Sequence, residues 1–515
     1  MVAIGRVEPD GDPHRLADAL AEQGIAVDVS VAPAMQGHPA AALATIFRSG
    51  APPVPSKQPP VRVAVLERAS EAVTLMRGLP PGEGSIVLGV GDATPVLVGD
   101  MPFGSEGPQP SVAIHSALTR RPGLVTPFDI AAVFASGGFP MLRLAGPFER
   151  RGFDYLDALA ARLERDAHYE GPVTRTTVAF GLGGLALMLL GLQAGRRRIA
   201  AAFLRGAAMA PAGYLGALFI PHARWQARAL SILVAFLIGF AFPARNTRRF
   251  CGWVFLSTAA AVLALEVAAA SAPDGFVAHS LWANPLTSWR FFGLRNHLVA
   301  FVAGGLVAAA GLLVMRWWVL CIAAVSATVV VGAASLGANF LGVLTLTFGA
   351  AIAALGIARG GVRAWHVAVA AVGATAATAL ALLIDAGTPA SHGGRAVQTI
   401  RGGGLDQAWE IFRRRAELNY QEITSFGWAG FVAMVLLAIV LASLFVWGWR
   451  SLRAHPSVRA SAAGTAAAAL AAFVMEDSGF LTAGIVGLFA STVFLATVID
   501  PVVEPPIEGS HDEPR

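Results

Sequence analysis

The sequence predicts an α-helical polytopic membrane protein with about eleven spans and a small N-terminal α/β domain. Hydrophobic residues make up 55% of the 515 residues and charged residues only 14%. The mean hydropathy is +0.61, outside the range of soluble proteins. From about Thr176 to Ile499, apolar segments follow one another, each near the roughly 20 residues that cross a bilayer. Residues 1–170 are instead mixed, proline-rich and charged.

Strand-like and helix-like pieces alternate in residues 1–170, which indicates an α/β domain. The predicted strands are Val2–Val7, Ile25–Val31, Ser85–Val90 and Ser111–His115. The predicted helices are Asp12–Gln23, His38–Arg48, one near Val63–Met76, one from Thr126 to Gly137, and an amphipathic helix at Asp154–Tyr169 that leads to the membrane.

Residues 174–500 form the predicted transmembrane domain, in which apolar runs alternate with short polar connections. The predicted spans are Thr176–Ala194, Ile199–Ile220, Ala227–Phe242, Cys251–Ala270, Leu298–Met315, Val319–Leu336, Phe340–Ala358, Ala364–Ile384, Trp428–Trp447, Ser461–Met475 and Phe480–Ile499. A long outer loop at 385–427 and a disordered cytoplasmic tail at 501–515 complete the predicted organisation.

Arginine clusters occupy mostly alternate connections, and the positive-inside rule assigns those connections to the cytoplasm. The N-terminal domain is then expected outside and the C-terminus inside. A folded domain of this size is seldom exported by a downstream helix alone, so a signal or anchor helix ahead of the printed start is expected. The alternative is a cytoplasmic N-terminal domain. Nucleic-acid binding is not expected, because the arginines lie at helix ends and form no separate basic domain.

Polar residues interrupt the apolar runs mainly at connections that this orientation turns outward. Because buried charges in a membrane are costly unless they are paired or used, we expect an outward-facing polar pocket. Its candidate members are Glu266, Arg290, Asn296, Asn339, His392, Arg395, Arg415, Asn419, Glu476 and Asp477.

Arginines suit substrate binding, because the guanidinium group matches phosphate or carboxylate with two hydrogen bonds. His392 beside Arg395 is a candidate acid/base group, and Glu266 inside an apolar span needs a partner such as Arg290 or a proton. The alternative is structural: interfacial arginines that reach lipid phosphates and a solvated loop histidine.

Adjacent carboxylates at Glu476 and Asp477 lie between two short apolar segments, as in the interrupted helices of ion-coupled transporters. They are therefore candidate ion or proton groups, with a plain charged hairpin as the alternative. Gly337-Ala338-Asn339 is expected to form a tight turn, with asparagine suited to left-handed backbone and glycine to close packing.

Helical spacing of Leu405, Trp409, Phe412 and Ala416, with arginines beside them at 413–415, predicts a helix lying in the membrane interface. It either anchors the loop or steers an anionic, lipid-linked substrate toward the pocket.

Several short motifs occur in the same order as signatures of a known family. They are Arg290-Phe291-Phe292-Gly293-Leu294-Arg295-Asn296, Gly337-Ala338-Asn339-Phe340-Leu341-Gly342, Ser391-His392-Gly393-Gly394-Arg395, Arg415 to Asn419, and Glu476-Asp477-Ser478-Gly479. Over most of residues 110–500 the chain resembles an uncharacterised bacterial family of multi-pass membrane proteins. Relatives in that family carry an extracytoplasmic domain similar to the alkaline phosphatase superfamily. The resemblance implies a bacterial cytoplasmic membrane protein of the cell envelope.

The segment Arg120 to Ala131 looks like a piece near the end of that phosphatase-like domain. Residues 1–170 are too short for the whole domain, and their histidines, His14, His38, His115 and His168, show no metal-ligand spacing. We therefore interpret the domain as degenerate, expect no metal or cofactor, and predict that it does not hydrolyse phosphate esters. Arg295 also departs from the family pattern, which has glycine there.

The first functional hypothesis is an enzyme or accessory protein that acts at the outer face on an anionic, lipid-linked envelope substrate. Only in layout is the chain similar to lipid-linked polysaccharide ligases. The second hypothesis is a proton- or cation-coupled transporter or flippase, and the third is a non-catalytic membrane scaffold. Membrane lipids are expected partners, while the substrate and the oligomeric state stay open.

Overall fold

The structure of the protein is a computed structural model. The residues that it describes are 2–5, 27–31, 61–66, 86–89, 96–97, 99–100, 112–116, 124–125, 142–144, 153–220, 225–271, 293–385, 409, 413, 416–417, 420, 455–476 and 479–500. By its internal packing the chain divides into two units. One unit comprises residues 1–171 with 268–293, and the other comprises residues 172–267 with 294–515.

The strands of the first unit form one parallel sheet and two small antiparallel ones. They are β1 (Val2–Gly5), β2 (Val27–Val31), β3 (Val61–Leu66), β4 (Ile86–Gly89), β5 (Val96–Leu97), β6 (Gly99–Asp100), β7 (Val112–Ser116), β8 (Leu124–Val125) and β9 (Leu142–Leu144). The parallel sheet has the order β2-β3-β1-β4, with Val2 opposite both Val63 and Ile86. The antiparallel pairings are β5 with β8, and β7 with both β6 and β9.

Each of the four predicted strands contains or overlaps an observed strand, but the helix predicted near Val63–Met76 is wrong at its start. Val61–Leu66 is strand β3, which pairs with both β1 and β2. The physical reason is that β-branched valines alternate there with other residues, a period of two that suits a strand. The helices predicted at 12–23, 38–48 and 126–137 lie outside the described residues, so the α/β domain as a whole stays a prediction.

The rest of the described chain is helical. The helices are α1 (Phe153–Gln193), α2 (Arg197–Leu218), α3 (Trp225–Ala241), α4 (Thr247–Ser271), α5 (Asn296–Leu312), α6 (Trp317–Gly332), α7 (Phe340–Ala358), α8 (Ala364–Asp385), α9 (Pro456–Met475) and α10 (Gly479–Ile499). Each overlaps a predicted span, whereas the span predicted at Trp428–Trp447 lies outside the described residues.

Six of the described helices are long and apolar enough to cross a membrane: α4, α7, α8, α9, the part of α1 from Pro172, and the part of α10 from Leu481. Helices α3, α5 and α6 are apolar but shorter. The prediction of a multi-pass helical membrane protein is therefore supported, while the number of eleven crossings stays a prediction.

Helix α1 differs from the sequence-based expectation, which separated an amphipathic helix at Asp154–Tyr169 from the first span. The structure has one continuous helix of 41 residues that contains Pro172. A proline removes only one backbone hydrogen bond, so a helix can continue through it. One turn later, Thr176 Oγ1 donates to the carbonyl of Pro172 at 2.8 Å, a bond that threonines commonly make within helices.

Helix α5 is the centre of the second unit. Every residue from His297 to Leu312 is buried, and α5 packs against α6, α7, α9 and α10. A helix that is apolar all round can be enclosed on every side, and the glycines and alanines of α5 let its neighbours approach closely.

Helix α8 lies at the periphery of that unit. Its buried residues are His366, Ala370, Ala374, Thr378 and Asp385. The spacing of four between most of them forms one stripe, which suits packing against α7, its main neighbour. Large apolar side chains such as Val372 and Ile384 are 72% and 75% exposed, as expected for a helix that faces lipid.

Candidate functional site

Two predicted site residues, Asn296 and Asn339, are hydrogen-bonded to each other at adjoining helix starts. Asn339 Nδ2 donates to Asn296 Oδ1 at 3.1 Å and to the carbonyl of Leu294 at 3.0 Å. Asn339 Oδ1 accepts from the N–H of Gly342 at 2.9 Å, which caps the start of α7. Asn339 is only 1% exposed. These bonds, which we call the asparagine node, hold the starts of α5 and α7 together.

The turn before the node is a tight one, as the sequence predicts, but its left-handed residue is different. Ala338 has φ of 46°, whereas Asn339 has φ of −111° because it is the N-cap of α7. The expectation that asparagine takes the left-handed conformation was therefore wrong. Gly337 is required by space, because a Cβ there would lie 2.5 Å from the carbonyl oxygen of Val331.

Glu476, the third predicted residue, is fully buried at the end of α9, at 0% exposure. Thr345 Oγ1, from the buried face of α7, donates to Glu476 Oε1 at 2.9 Å. The chain then turns into α10, with the N–H of Gly479 donating to the carbonyl of Glu476 at 3.1 Å. A carboxyl group thus lies inside the bundle at the break between two apolar helices.

The asparagine node and Glu476 lie at the same end of the bundle. Thr345 is six residues after Asn339, about 9 Å along α7 at the usual helical rise. Helices α5, α7 and α9 all pack against one another. Three polar residues from separate connections of the chain therefore lie toward one end of the bundle, while the pocket that the sequence predicts stays a prediction.

Glu266 is also buried, at 1% exposure, near the end of α4. Its predicted partner Arg290 lies outside the described residues. So do Asp477, His392, Arg395, Arg415 and Asn419.

Five residues of the long loop are described, and all of them are helical and exposed. They are Trp409, Arg413, Ala416, Glu417 and Tyr420. Their spacing puts most of them on one face of a helix, which agrees with the helical pattern expected for this segment. Its location in the membrane interface stays a prediction.

A contact that the sequence does not reveal lies directly beside the asparagine node. Tyr214 Oη and His297 Nε2 are 2.9 Å apart, and their rings meet edge to face. Tyr214 is 1% exposed and His297 7% exposed. Because His297 follows Asn296, the start of α5 contacts α7 with one side chain and α2 with the next. A tyrosine inside an apolar span was the available signal, since a buried hydroxyl group needs a partner.

The Tyr214–His297 pair lines a cleft in the second unit. Its empty space, including the open side, is about 550 Å³. Residues of α1, α2, α4, α5 and α10 form its walls, and most of them are apolar; they include Gly181, Leu185, Phe255, Phe301, Ile485 and Phe489. We call this feature the lateral cleft.

The opposite end of the bundle holds two arginines, Arg205 and Arg248, to which sequence analysis assigned no structural contact. Arg205 donates to the carbonyls of Gly239 and Phe240, at 3.3 and 3.4 Å, and to Thr247 Oγ1 at 3.0 Å. These bonds satisfy carbonyls at the end of α3 that the helix itself leaves without partners. An arginine inside the apolar run 200–218 was the signal for such a role.

Arg248 likewise bonds to a carbonyl at the end of α5, and it links that end to the residue that follows α10. Its guanidinium Nη1 donates to the carbonyl of Leu312, the last residue of α5. Its backbone N–H donates to Asp500 Oδ2 at 3.1 Å. Cations at helix C-termini are also favoured by the helix dipole. This end of the bundle is therefore held by arginine contacts to helix ends.

Within the part of the chain that the structure describes, no group of three His, Cys, Asp or Glu side chains could hold a metal ion. The described site is accordingly one of amides, a carboxyl group, a hydroxyl group and an imidazole, next to an apolar cleft. No protein-family model, no curated protein and no solved structure matches the chain.

Proposed function

We propose that this protein binds an anionic, lipid-linked envelope substrate at an outward-facing polar site, as an enzyme or as an accessory protein. The observation that carries the proposal is the location of Asn296, Asn339 and Glu476 toward one end of the bundle, where Asn339 bonds to Asn296 and Thr345 bonds to Glu476. A scaffold would have left these polar groups scattered and unpaired across separate helices. Buried polar groups inside a membrane domain are costly and are usually functional.

The proposed site has residues that position the helices and other residues that bind the substrate. The hydrogen bonds of Asn339 use both of its Nδ2 hydrogens and its Oδ1. Asn339 and Asn296 therefore suit a frame that holds two helix starts in place. The substrate anion is assigned to Arg290, Arg395 and Arg415 with Asn419, which the sequence puts on the same outward side.

Proton transfer in this proposal belongs to His392 or Glu266. Glu266 is a carboxyl group, a type of side chain that can exchange a proton with a bound substrate, and it is only 1% exposed.

The test is lipid and glycan profiling of a strain that lacks the gene, complemented with variants of the full chain. Arg290→Ala should leave an envelope precursor accumulated or depleted, as in the uncomplemented strain. The matched control is Arg316→Ala, an exposed arginine at the other end of the bundle, which should restore the wild-type profile. Full restoration by Arg290→Ala at normal protein level would overturn the proposal.

A second candidate function is proton- or cation-coupled movement of such a lipid across the membrane. The observation that favours it is Glu476, fully buried at a helix break and hydrogen-bonded to Thr345. In proteoliposomes with a pH gradient, fluorescent phosphatidylglycerol would change leaflet, and Glu476→Gln would abolish the dependence on the gradient. Glu417→Gln, at an exposed position, is the control, and equal behaviour of both variants would exclude Glu476 coupling.

A further inference from the structure

The longest wall of the lateral cleft is about as long as one bilayer leaflet is thick. On α1 the lining runs from Thr174 to Leu185, which is about 16 Å at 1.5 Å per residue. On α10 it runs from Ile485 to Thr492, about 10 Å by the same rise. Half of the hydrocarbon core of a bilayer is about 15 Å thick. Along α1, a hydrocarbon chain that enters at the polar end therefore has a wall of leaflet length beside it.

The polar end of the cleft is defined by the Tyr214–His297 pair. Tyr214 lies four residues before the end of α2, and His297 is the second residue of α5. This is the end of the bundle that carries the asparagine node, since Asn296 precedes His297. From there the walls become apolar, with Phe255 and Phe489 deeper in the cleft. The cleft is thus amphipathic along its length, as a lipid is.

Cationic side chains accompany the polar end. Arg295, two residues before His297, is 4% exposed, and so is Arg228 near the start of α3. Ser231 Oγ donates to the carbonyls of both Gly213 and Arg228, at 2.9 and 2.7 Å, which holds this part of α3 beside the residue that precedes Tyr214. Neither arginine lines the cleft, but both belong to segments that flank its polar end, and positive charge near a lipid headgroup favours an anionic one.

We propose that the lateral cleft holds one acyl chain of an anionic phospholipid of the surrounding bilayer, with the phosphate at the Tyr214–His297 end. This inference rests on the proposed function and names its substrate class: a lipid phosphate rather than a free anion. Three features indicate this occupant: the length of the α1 wall, the apolar lining, and the positive charge that flanks the polar end. The asparagine node then positions the start of α5, and with it His297, at the headgroup end of the cleft.

The test uses phosphatidylglycerol that carries a diazirine in one acyl chain, incorporated with the full-length protein in nanodiscs. Illumination should label peptides of α2 and α10, at positions such as Ile485 and Phe489 that line the cleft. Labelling of the exposed face of α8 alone would overturn the proposal. Phosphatidylcholine with the same diazirine chain should label the cleft several-fold less, and equal labelling would overturn the assignment of an anionic headgroup.

Two glycines on the same helix supply a matched pair of variants. A Cβ on Gly181 would meet Leu488 at 3.4 Å, an ordinary contact, so Gly181→Leu fills the cleft. A Cβ on Gly183 would meet nothing within 4 Å, and that residue is exposed. Gly181→Leu should reduce cleft labelling by about tenfold or more, because the displaced methylenes lose their burial. Gly183→Leu should leave labelling unchanged.

The positions labelled in the wild-type protein test the proposal without any variant. If Gly181→Leu fails to fold, those positions can still refute it. Unchanged labelling in a folded Gly181→Leu protein would exclude the lateral cleft as the site of the acyl chain. If the envelope profile of the Arg290→Ala strain were still altered, the proposed function would survive without the cleft. Cleft labelling together with a fully restored Arg290→Ala profile would instead leave a lipid-binding cleft without the proposed function.

Discussion

The most direct test of the asparagine node is Asn339→Ala. The substitution removes the N-cap bond to the N–H of Gly342 and the two bonds that Nδ2 donates to Asn296 and Leu294. Loss of an N-cap side chain costs about 1 kcal/mol, and each lost buried hydrogen bond costs about 1 kcal/mol or more. The expected loss in free energy of unfolding is therefore about 3 kcal/mol.

Asn246→Ala is the matched control for this measurement. Asn246 Oδ1 accepts from the N–H of Arg249 at 2.8 Å, a cap of the same spacing at the start of α4, and that bond is exposed. Its removal should cost only about 1 kcal/mol. The free energy of unfolding in detergent, measured by steric trapping or denaturant titration, gives both values. Equal losses for the two variants would refute the reasoning, because the two tertiary bonds of the node would then contribute nothing.

Substitutions at three further contacts test the rest of the bundle, two of them with a comparison variant. Thr345→Val keeps the side-chain shape but removes the hydroxyl donor to Glu476, so it should lower the free energy of unfolding by about 1–3 kcal/mol. Arg205→Lys should destabilise nearly as much as Arg205→Ala, by about 3 kcal/mol, because one ammonium cannot reproduce the guanidinium contacts to two carbonyls and a hydroxyl. Gly464→Ala should destabilise by about 1–3 kcal/mol, since its Cβ would collide with the carbonyl of Gly349 on α7. Gly373→Ala on α8, where a Cβ meets nothing within 4 Å, should be neutral or stabilising by up to about 1 kcal/mol.

Thermal or denaturant unfolding of the purified full chain measures all three. Wild-type stability of Thr345→Val would mean that its hydroxyl does not support Glu476. Wild-type stability of Arg205→Lys would mean that the charge alone, and no geometry, matters at the end of α3. Equal effects of Gly464→Ala and Gly373→Ala would contradict the close approach of α7 and α9.

The spans could be predicted because their signal is local. A run of apolar residues of the right length is a helix in a bilayer wherever it packs, so Phe340–Ala358 was predicted with the bounds that the structure has. Errors arose where a local signal was ambiguous. Val61–Leu66 overlaps the start of a segment interpreted as a helix. Its alternating β-branched residues form a strand instead, because two partner strands pair with it.

The candidate site was predictable only in part. Polar residues inside or beside apolar runs, such as Asn296, Asn339 and Glu476, are visible in the sequence because their burial is costly. Their partners are not visible in this way. Thr345 and Tyr214 are ordinary residues in a membrane sequence, and each became part of the site only through its contact, Thr345 with Glu476 and Tyr214 with His297.

The sequence by itself determined that this is a multi-pass helical membrane chain and which polar residues must be accommodated in it. The tertiary structure alone decided which of them meet. Asn296 and Asn339 are 43 residues apart, Tyr214 and His297 are 83 apart, and Thr345 and Glu476 are 131 apart. Helices in lipid associate through close packing of small side chains and hydrogen bonds between polar ones. The hydrophobic effect does not select their neighbours, because the lipid is as apolar as the helix surfaces. Neighbours therefore follow from packing, and the lateral cleft, which five helices enclose, exists only after that packing is complete.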